Sequence, residues 1–178
     1  MSRVPLVTPA DTSGDTHTLL TQIHGAFGAT PNMFRAVANS PAALKSMWGS
    51  FGALGGGVIP AALGEKIAVA IANRNACEYC LAAHTALGRK AGASSQEMAA
   101  AQGGESEDPK TAAALTFALH VVEGRGQIAE ADVAQLRAVG FSDEEIVEIL
   151  AHVALNLFTN YVNVAFAVPV DFPGVKLR

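Results

Sequence analysis

Apolar residues in this chain recur every three or four positions between glycine and proline stops. Nowhere do they alternate with polar residues for long enough to make a strand. That periodicity restricts the fold to the all-α class. Leu19, Leu20, Ile23 and Phe27 share one helical face, which ends near Gly28. Thr30-Pro31 opens a short helix through Val37, and Ser40-Pro41 opens another that reaches Gly55-Gly56-Gly57. Pro60 starts a helix striped by Ile67, Ala70 and Ile71, and the next helix runs from Cys77 to Gly92. Ser94 with Glu97 forms a capping box, and Asp108-Pro109 starts a helix striped by Ala112, Leu115, Leu119 and Val122. Gly124 and Gly126 stop it, and Glu130 to Val139 is a further short helix. Ser142 with Glu145 is a second capping box, stapled by Phe141 and Ile146, at the head of a long helix to about Ala167. Residues 1–14 lack periodicity and read as an extended arm. Residues 15–178 then form one all-helical domain, a bundle of about eight helices.

Within that framework the chemistry concentrates between Glu65 and Gly92. The chain has two cysteines, Cys77 and Cys80, in a C-x-x-C pair, and His84 follows one turn later. On a helix these three side chains span an arc of about 60°. Glu65 precedes Cys77 by twelve residues, in an apolar helical run where an unpaired carboxylate is costly. Arg74-Asn75-Ala76 reads as a tight connection that makes the two helices antiparallel neighbours. A hairpin about Asn75 brings Glu65 towards His84.

At 178 residues, half of them hydrophobic and 16% charged, the chain is apolar for a single soluble domain. That composition predicts a homo-oligomer that covers part of the surface. A net charge of −4 with no basic cluster argues against nucleic acid. The N-terminal residues lack a signal-like apolar core. The longest candidate for a membrane span, Val147 to Val170, is interrupted by Glu148, His152, Asn156, Thr159, Asn160 and Asn163. The expectation is a cytoplasmic protein without a membrane segment, where a cysteine pair serves redox chemistry or metal rather than acting as a staple.

Three readings of the pair compete. A zinc site would need a fourth ligand from His17, His24, His120, His152 or Glu65, and no second C-x-x-C or H-x-x-x-H pair supplies one. Two cysteines simply packed in a core is the plainest reading. A redox dithiol fits best, because a helix start, an imidazole and the C-x-x-C spacing all favour thiolate. Cys77 lies nearer the helix start and Cys80 has His84 at i+4, so these cues leave the nucleophile open. The other four histidines read as packing or surface residues. Asn156, Asn160 and Asn163 share one face and read as helix–helix hydrogen-bonding groups, with pocket lining as the lesser option. A shift of 83 residues places Glu148 on Glu65, Asn160 on Cys77 and Asn163 on Cys80. If that marks an internal duplication, only the first half carries thiols.

The pattern Glu65, Cys77, Cys80, His84 resembles the active-site pattern of the alkylhydroperoxidase D-like branch of the carboxymuconolactone decarboxylase family. Gly28 to Phe34 with Asn39-Ser40-Pro41, and Leu155 to Phe158 with Asn160, Tyr161 and Asn163, look like flanking segments of its peroxidase-related members. The resemblance implies an alkylhydroperoxidase D-like helical fold, assembly as trimers or hexamers, and reduction of hydroperoxides with no metal or organic cofactor. By that analogy Cys80 attacks the peroxide, Cys77 closes a disulfide with it, and Glu65 and His84 relay protons. An external dithiol, in the best-known relatives a lipoyl-bearing protein, then reduces the disulfide. A histidine of alkylhydroperoxidase D is replaced here by Tyr79, whose phenol cannot share proton work near neutral pH. The alternative functions are a dithiol–disulfide oxidoreductase, or a redox-sensing or metal-binding module that turns over nothing.

Overall fold

A computed structural model describes all residues, 1–178, as nine α-helices with no strand. In chain order they are α1 (Gly14–Phe27), α2 (Asn32–Val37), α3 (Pro41–Gly55), α4 (Ala61–Arg74), α5 (Glu78–Lys90), α6 (Ser95–Gln102), α7 (Pro109–Glu123), α8 (Glu130–Ala138) and α9 (Asp143–Ala165). The helix starts follow the sequence cues closely. Ser40, Ser94, Asp108 and Ser142 each accept a hydrogen bond from the third helical N–H, and Ser94 and Ser142 complete capping boxes with Glu97 and Glu145. The count is nine rather than about eight.

The central helix is α4, which packs against α5, α6, α7 and α9. Its Ile67, Val69, Ile71 and Ala72 are completely buried. Small residues let its neighbours come close. A Cβ at Gly88 on α5 would overlap the Met98 thioether and lie 3.3 Å from Glu65 Cβ, so glycine there permits the α4–α5 approach.

Residues 1–13 precede α1 as a segment that packs along the core. Val4, Leu6 and Val7 pack on the core, and Val7 N–H donates to Arg35 O at 3.1 Å while Arg35 Nε returns a bond to Val7 O. A single 3-10 turn, Pro9–Asp11, precedes α1.

The 83-residue shift is not a structural repeat. The first copy is two helices broken at Asn75–Cys77, whereas its counterpart on α9 is unbroken from Asp143 to Ala165. No helix is long and apolar enough to cross a membrane. α9 buries Asn156, Thr159, Asn160 and Asn163 alongside Ile146, Ile149, Val153, Leu155 and Val162, and exposes Val147, Leu150, Phe158 and Tyr161.

Candidate active site

The break between α4 and α5 sets the geometry of the thiols. Asn75 ends α4, Ala76 N–H returns to Asn73 O, and Cys77 N–H returns to Ala72 O at 2.9 Å. This is a Schellman turn, and Ala76 occupies its left-handed position at φ 52°, where glycine is usual. The turn delivers Cys77 directly as the N-cap of α5. Its sulfur accepts the Cys80 N–H at 3.2 Å, in the place where serine or aspartate commonly sits. Cys77 and Cys80 are joined as a disulfide. No three His, Cys, Asp or Glu side chains are arranged as a metal-ligand set.

The antiparallel α4–α5 pair brings the other two members together. His84 Nδ1 lies 2.7 Å from Glu65 Oε2, and both side chains are largely enclosed. An enclosed carboxylate against an imidazole can hold a proton one helical turn from Cys80.

From α9, Asn163 Nδ2 donates to Cys80 Sγ at 3.2 Å. The residue that an 83-residue shift aligned with Cys80 is therefore its contact. Asn160 Oδ1 likewise accepts from Asn75 Nδ2 at 3.0 Å, which fastens α9 to the turn before Cys77. The asparagine stripe thus hydrogen-bonds between helices and also lines the site, since Asn163 borders the cavity at Cys80. The sequence signal for this was already present: Glu148, His152, Asn156, Thr159, Asn160 and Asn163 fall within about 120° of α9.

His84 separates two cavities. One, of about 30 Å³, is walled by Met33, Phe34, Phe51, Tyr79, Cys80 and His84, among others, and is almost wholly apolar. The other, of about 160 Å³, lies on the Glu65 side and is bordered by Glu65, His84, His152, Asn156 and Thr159. His152, read from the sequence as a packing or surface residue, packs against Gly64 and borders this cavity. Its Nε2 is buried without a hydrogen-bond partner, as is Asn156 Oδ1. Burial holds the His152 pKa below the ordinary imidazole range, against the opposing pull of Glu148 and Glu65. Gly64 makes room for the ring, because a Cβ there would lie 3.3 Å from His152 Cε1. The remaining histidines lie elsewhere: His17 beside Thr12, His24 beside Thr30, and His120 paired with Asp132 at 2.8 Å.

Tyr79 has a structural task in place of proton chemistry. Its phenol oxygen accepts the Met33 N–H at 3.2 Å, and its ring meets Phe172 edge-on at 5.7 Å. Burial is the main cause of a pKa pushed well above the ordinary phenol range, so the group stays protonated. Asp171 accepts the neighbouring Asn32 N–H at 2.7 Å. Tyr79 and the C-terminal segment together thereby satisfy the free N–H groups at the start of α2.

Comparison with known proteins agrees with this fold. Residues 41–124 match the carboxymuconolactone decarboxylase family. The fold superposes on an alkylhydroperoxidase AhpD core, a peroxidase-related protein from Ralstonia eutropha JMP134, with a TM-score of 0.84 and 27% identity, over 96% of this chain and 92% of that one. A peroxidase-related protein from Silicibacter sp. TM1040 gives a TM-score of 0.82 at 27% identity, over 94% and 91% of the two chains. The debrominase Bmp8 shares the fold with a TM-score of 0.80 at 21% identity, over 96% of this chain and 94% of its own. No curated protein sequence matches the chain. Residues 41–124 thus carry the match to the carboxymuconolactone decarboxylase family, and the chain as a whole has the alkylhydroperoxidase D-like fold.

Proposed function

We propose that this protein is a dithiol peroxidase that reduces organic hydroperoxides through a Cys77–Cys80 dithiol/disulfide cycle. The observation that carries the reading is the setting of Cys80. Its sulfur accepts a hydrogen bond from Asn163 and borders a small apolar cavity whose wall is completed by His84, itself hydrogen-bonded to Glu65. A thiolate there attacks the terminal oxygen of the hydroperoxide. The O–O bond breaks, the oxygen stays on sulfur as a sulfenic acid, and the departing alkoxide takes a proton from the His84–Glu65 pair. Cys77 then displaces hydroxide from the Cys80 sulfenic acid and closes the disulfide, its thiol proton leaving with the hydroxide as water.

Both cysteines are at most 2% exposed, which favours a small substrate over a protein disulfide. An external dithiol, a lipoyl group by the family analogy, returns the disulfide to the dithiol. No metal or organic cofactor takes part in the scheme. The debrominase with this fold acts on a different class of substrate, so the reading rests on the residues of the site rather than on the fold.

The test is oxidation of the reduced protein by cumene hydroperoxide, with turnover against a panel of dithiols that includes dihydrolipoamide. Cys80→Ser should abolish peroxide consumption, and Cys77→Ser should allow one oxidation that leaves a trappable sulfenic acid on Cys80. Oxidation at Cys77 in Cys80→Ser, with none in Cys77→Ser, would reverse the two roles. Failure of the wild-type protein to consume any hydroperoxide would refute the reading.

A further inference from the structure

The two cavities that meet at His84 differ in chemistry. The one at Cys80 has an almost wholly apolar wall, though it includes Asn163, whose Oδ1 is buried without a partner, and the larger one is bordered by His152 and Asn156, whose Nε2 and Oδ1 are likewise buried without protein partners. A polar cavity of about 160 Å³ has room for several water molecules, whereas the small apolar one has few groups to hold any. The groups that border the polar cavity include Glu65 from α4, His84 from α5 and His152 from α9, while α3 contributes Phe51, Leu54 and Gly55, none of which titrates. Glu148 stands one turn before His152, with its Oε1 4.0 Å from His152 Nε2. The Val58 and Ile59 N–H groups hold that carboxylate in place at 2.9 and 2.8 Å.

We propose that His152 is a positioning residue of a proton path, which returns protons to the Glu65–His84 pair through the polar cavity while the substrate uses the apolar cavity on the other side of His84. The inference rests on the peroxidase reading, and proton bookkeeping shows the need for the path. The oxidative half-reaction consumes ROOH, the Cys77 thiol, the Cys80 thiolate and the proton on His84–Glu65. It yields ROH, water and the disulfide, and leaves that pair one proton short. A dithiol that has already released one proton to water reduces the disulfide, leaving its own sulfurs oxidised to a disulfide, Cys77 as thiol and Cys80 as thiolate. The missing proton has still to reach His84. The cavity on the Cys80 side, with its almost wholly apolar wall, is a poor route for it. On the other side His152 offers a ring with an unpartnered nitrogen, whose basicity burial lowers, so that a proton taken up there passes on to the Glu65–His84 pair instead of staying.

The test separates the first turnover from those that follow. Reduced wild-type protein and His152→Gln are mixed with cumene hydroperoxide in stopped flow, and steady-state turnover is then measured with saturating dithiol across pH 5–9. The first oxidation draws on a proton already stored at His84, so the expected result is a loss confined to later turnovers, tenfold or more in kcat with little change in KM. In His152→Ala, added imidazole should restore kcat, since the vacated space matches the lost ring. Circular dichroism confirms that both variants are folded.

Equal slowing of the first turnover would assign His152 a merely structural role and overturn the path. So would wild-type kcat and pH profile in His152→Gln, or the absence of imidazole rescue. Wild-type protein that hydroperoxide does not oxidise at all would overturn the peroxidase reading, and the proton path with it.

Discussion

Glu65 Oε2 and His84 Nδ1 approach to 2.7 Å across the α4–α5 pair, nineteen residues apart in sequence. The approach depends on the antiparallel return at Asn75–Cys77 and is eased by Gly88, where a Cβ would overlap the Met98 thioether and crowd Glu65 Cβ at 3.3 Å. Replacing Glu65 by Gln keeps the shape and removes the charge. Titration of thiolate absorbance, compared between Cys77→Ser and Cys77→Ser with Glu65→Gln, should show a higher thiol pKa at Cys80 in the double variant. Each unit of that rise lowers the thiolate fraction near neutral pH by up to about tenfold. Superimposable titrations would show that the carboxylate is not coupled to the sulfur.

Asn163 supplies the side-chain hydrogen bond to Cys80 Sγ. A hydrogen bond to a charged group contributes about 1.5–3 kcal/mol, so Asn163→Ala should slow iodoacetamide alkylation of Cys80 by about 10- to 100-fold in a Cys77→Ser background. Asn163→Asp places a negative charge beside the thiolate and should slow it further. An unchanged rate in both would remove Asn163 from the site.

Glu148 couples α9 to the segment after α3 through two backbone N–H groups, and those bonds hold its carboxyl below the ordinary carboxylate range. A depressed pKa stabilises the fold above the unfolded-state pKa, and the contribution is lost as pH falls through the folded value. Thermal unfolding of Glu148→Gln should therefore begin at a lower temperature than wild type at pH 7, and the gap should close as pH drops below about 4. Gly57→Ala should act in the same direction, since a Cβ there would overlap the Glu148 carboxylate. A gap that persists unchanged at low pH would contradict the assignment.

The exposed apolar face of α9, with Val147, Leu150, Phe158 and Tyr161 on one side, accompanies the composition-based expectation of a homo-oligomer. Light scattering at micromolar concentration should give a mass at least twice the 18.3 kDa of one chain. Val147→Glu with Tyr161→Glu should lower it towards one chain. A wild-type monomer would refute the expectation.

The helical class, nearly every helix start and the Glu65–Cys77–Cys80–His84 grouping could be read directly from the residues. These depend on local physics: side-chain caps, glycine and proline stops, and a 3.6-residue period that places neighbours along one helix within reach of each other. Even the meeting of Glu65 with His84 needed only a short turn and antiparallel packing. The partner of Cys80 from α9 was a different matter. Local pattern turns Ile146, Ile149, Val153 and Val162 of α9 inward, but it gives no reason for Asn156, Thr159, Asn160 and Asn163 to share the buried side while Val147, Leu150 and Tyr161 lie outside. That choice follows from what α9 meets, a turn whose Asn75 needs a partner and a sulfur that accepts from Asn163. The placement of His152 was hidden for the same reason: a lone histidine acquires meaning only when Gly64, Glu65 and His84, more than sixty residues away, form the other walls of its cavity. The sequence by itself determined the helices and the grouping of thiols, acid and imidazole. Tertiary packing alone decided which groups the buried asparagines of α9 met, and with them the two cavities that border His84.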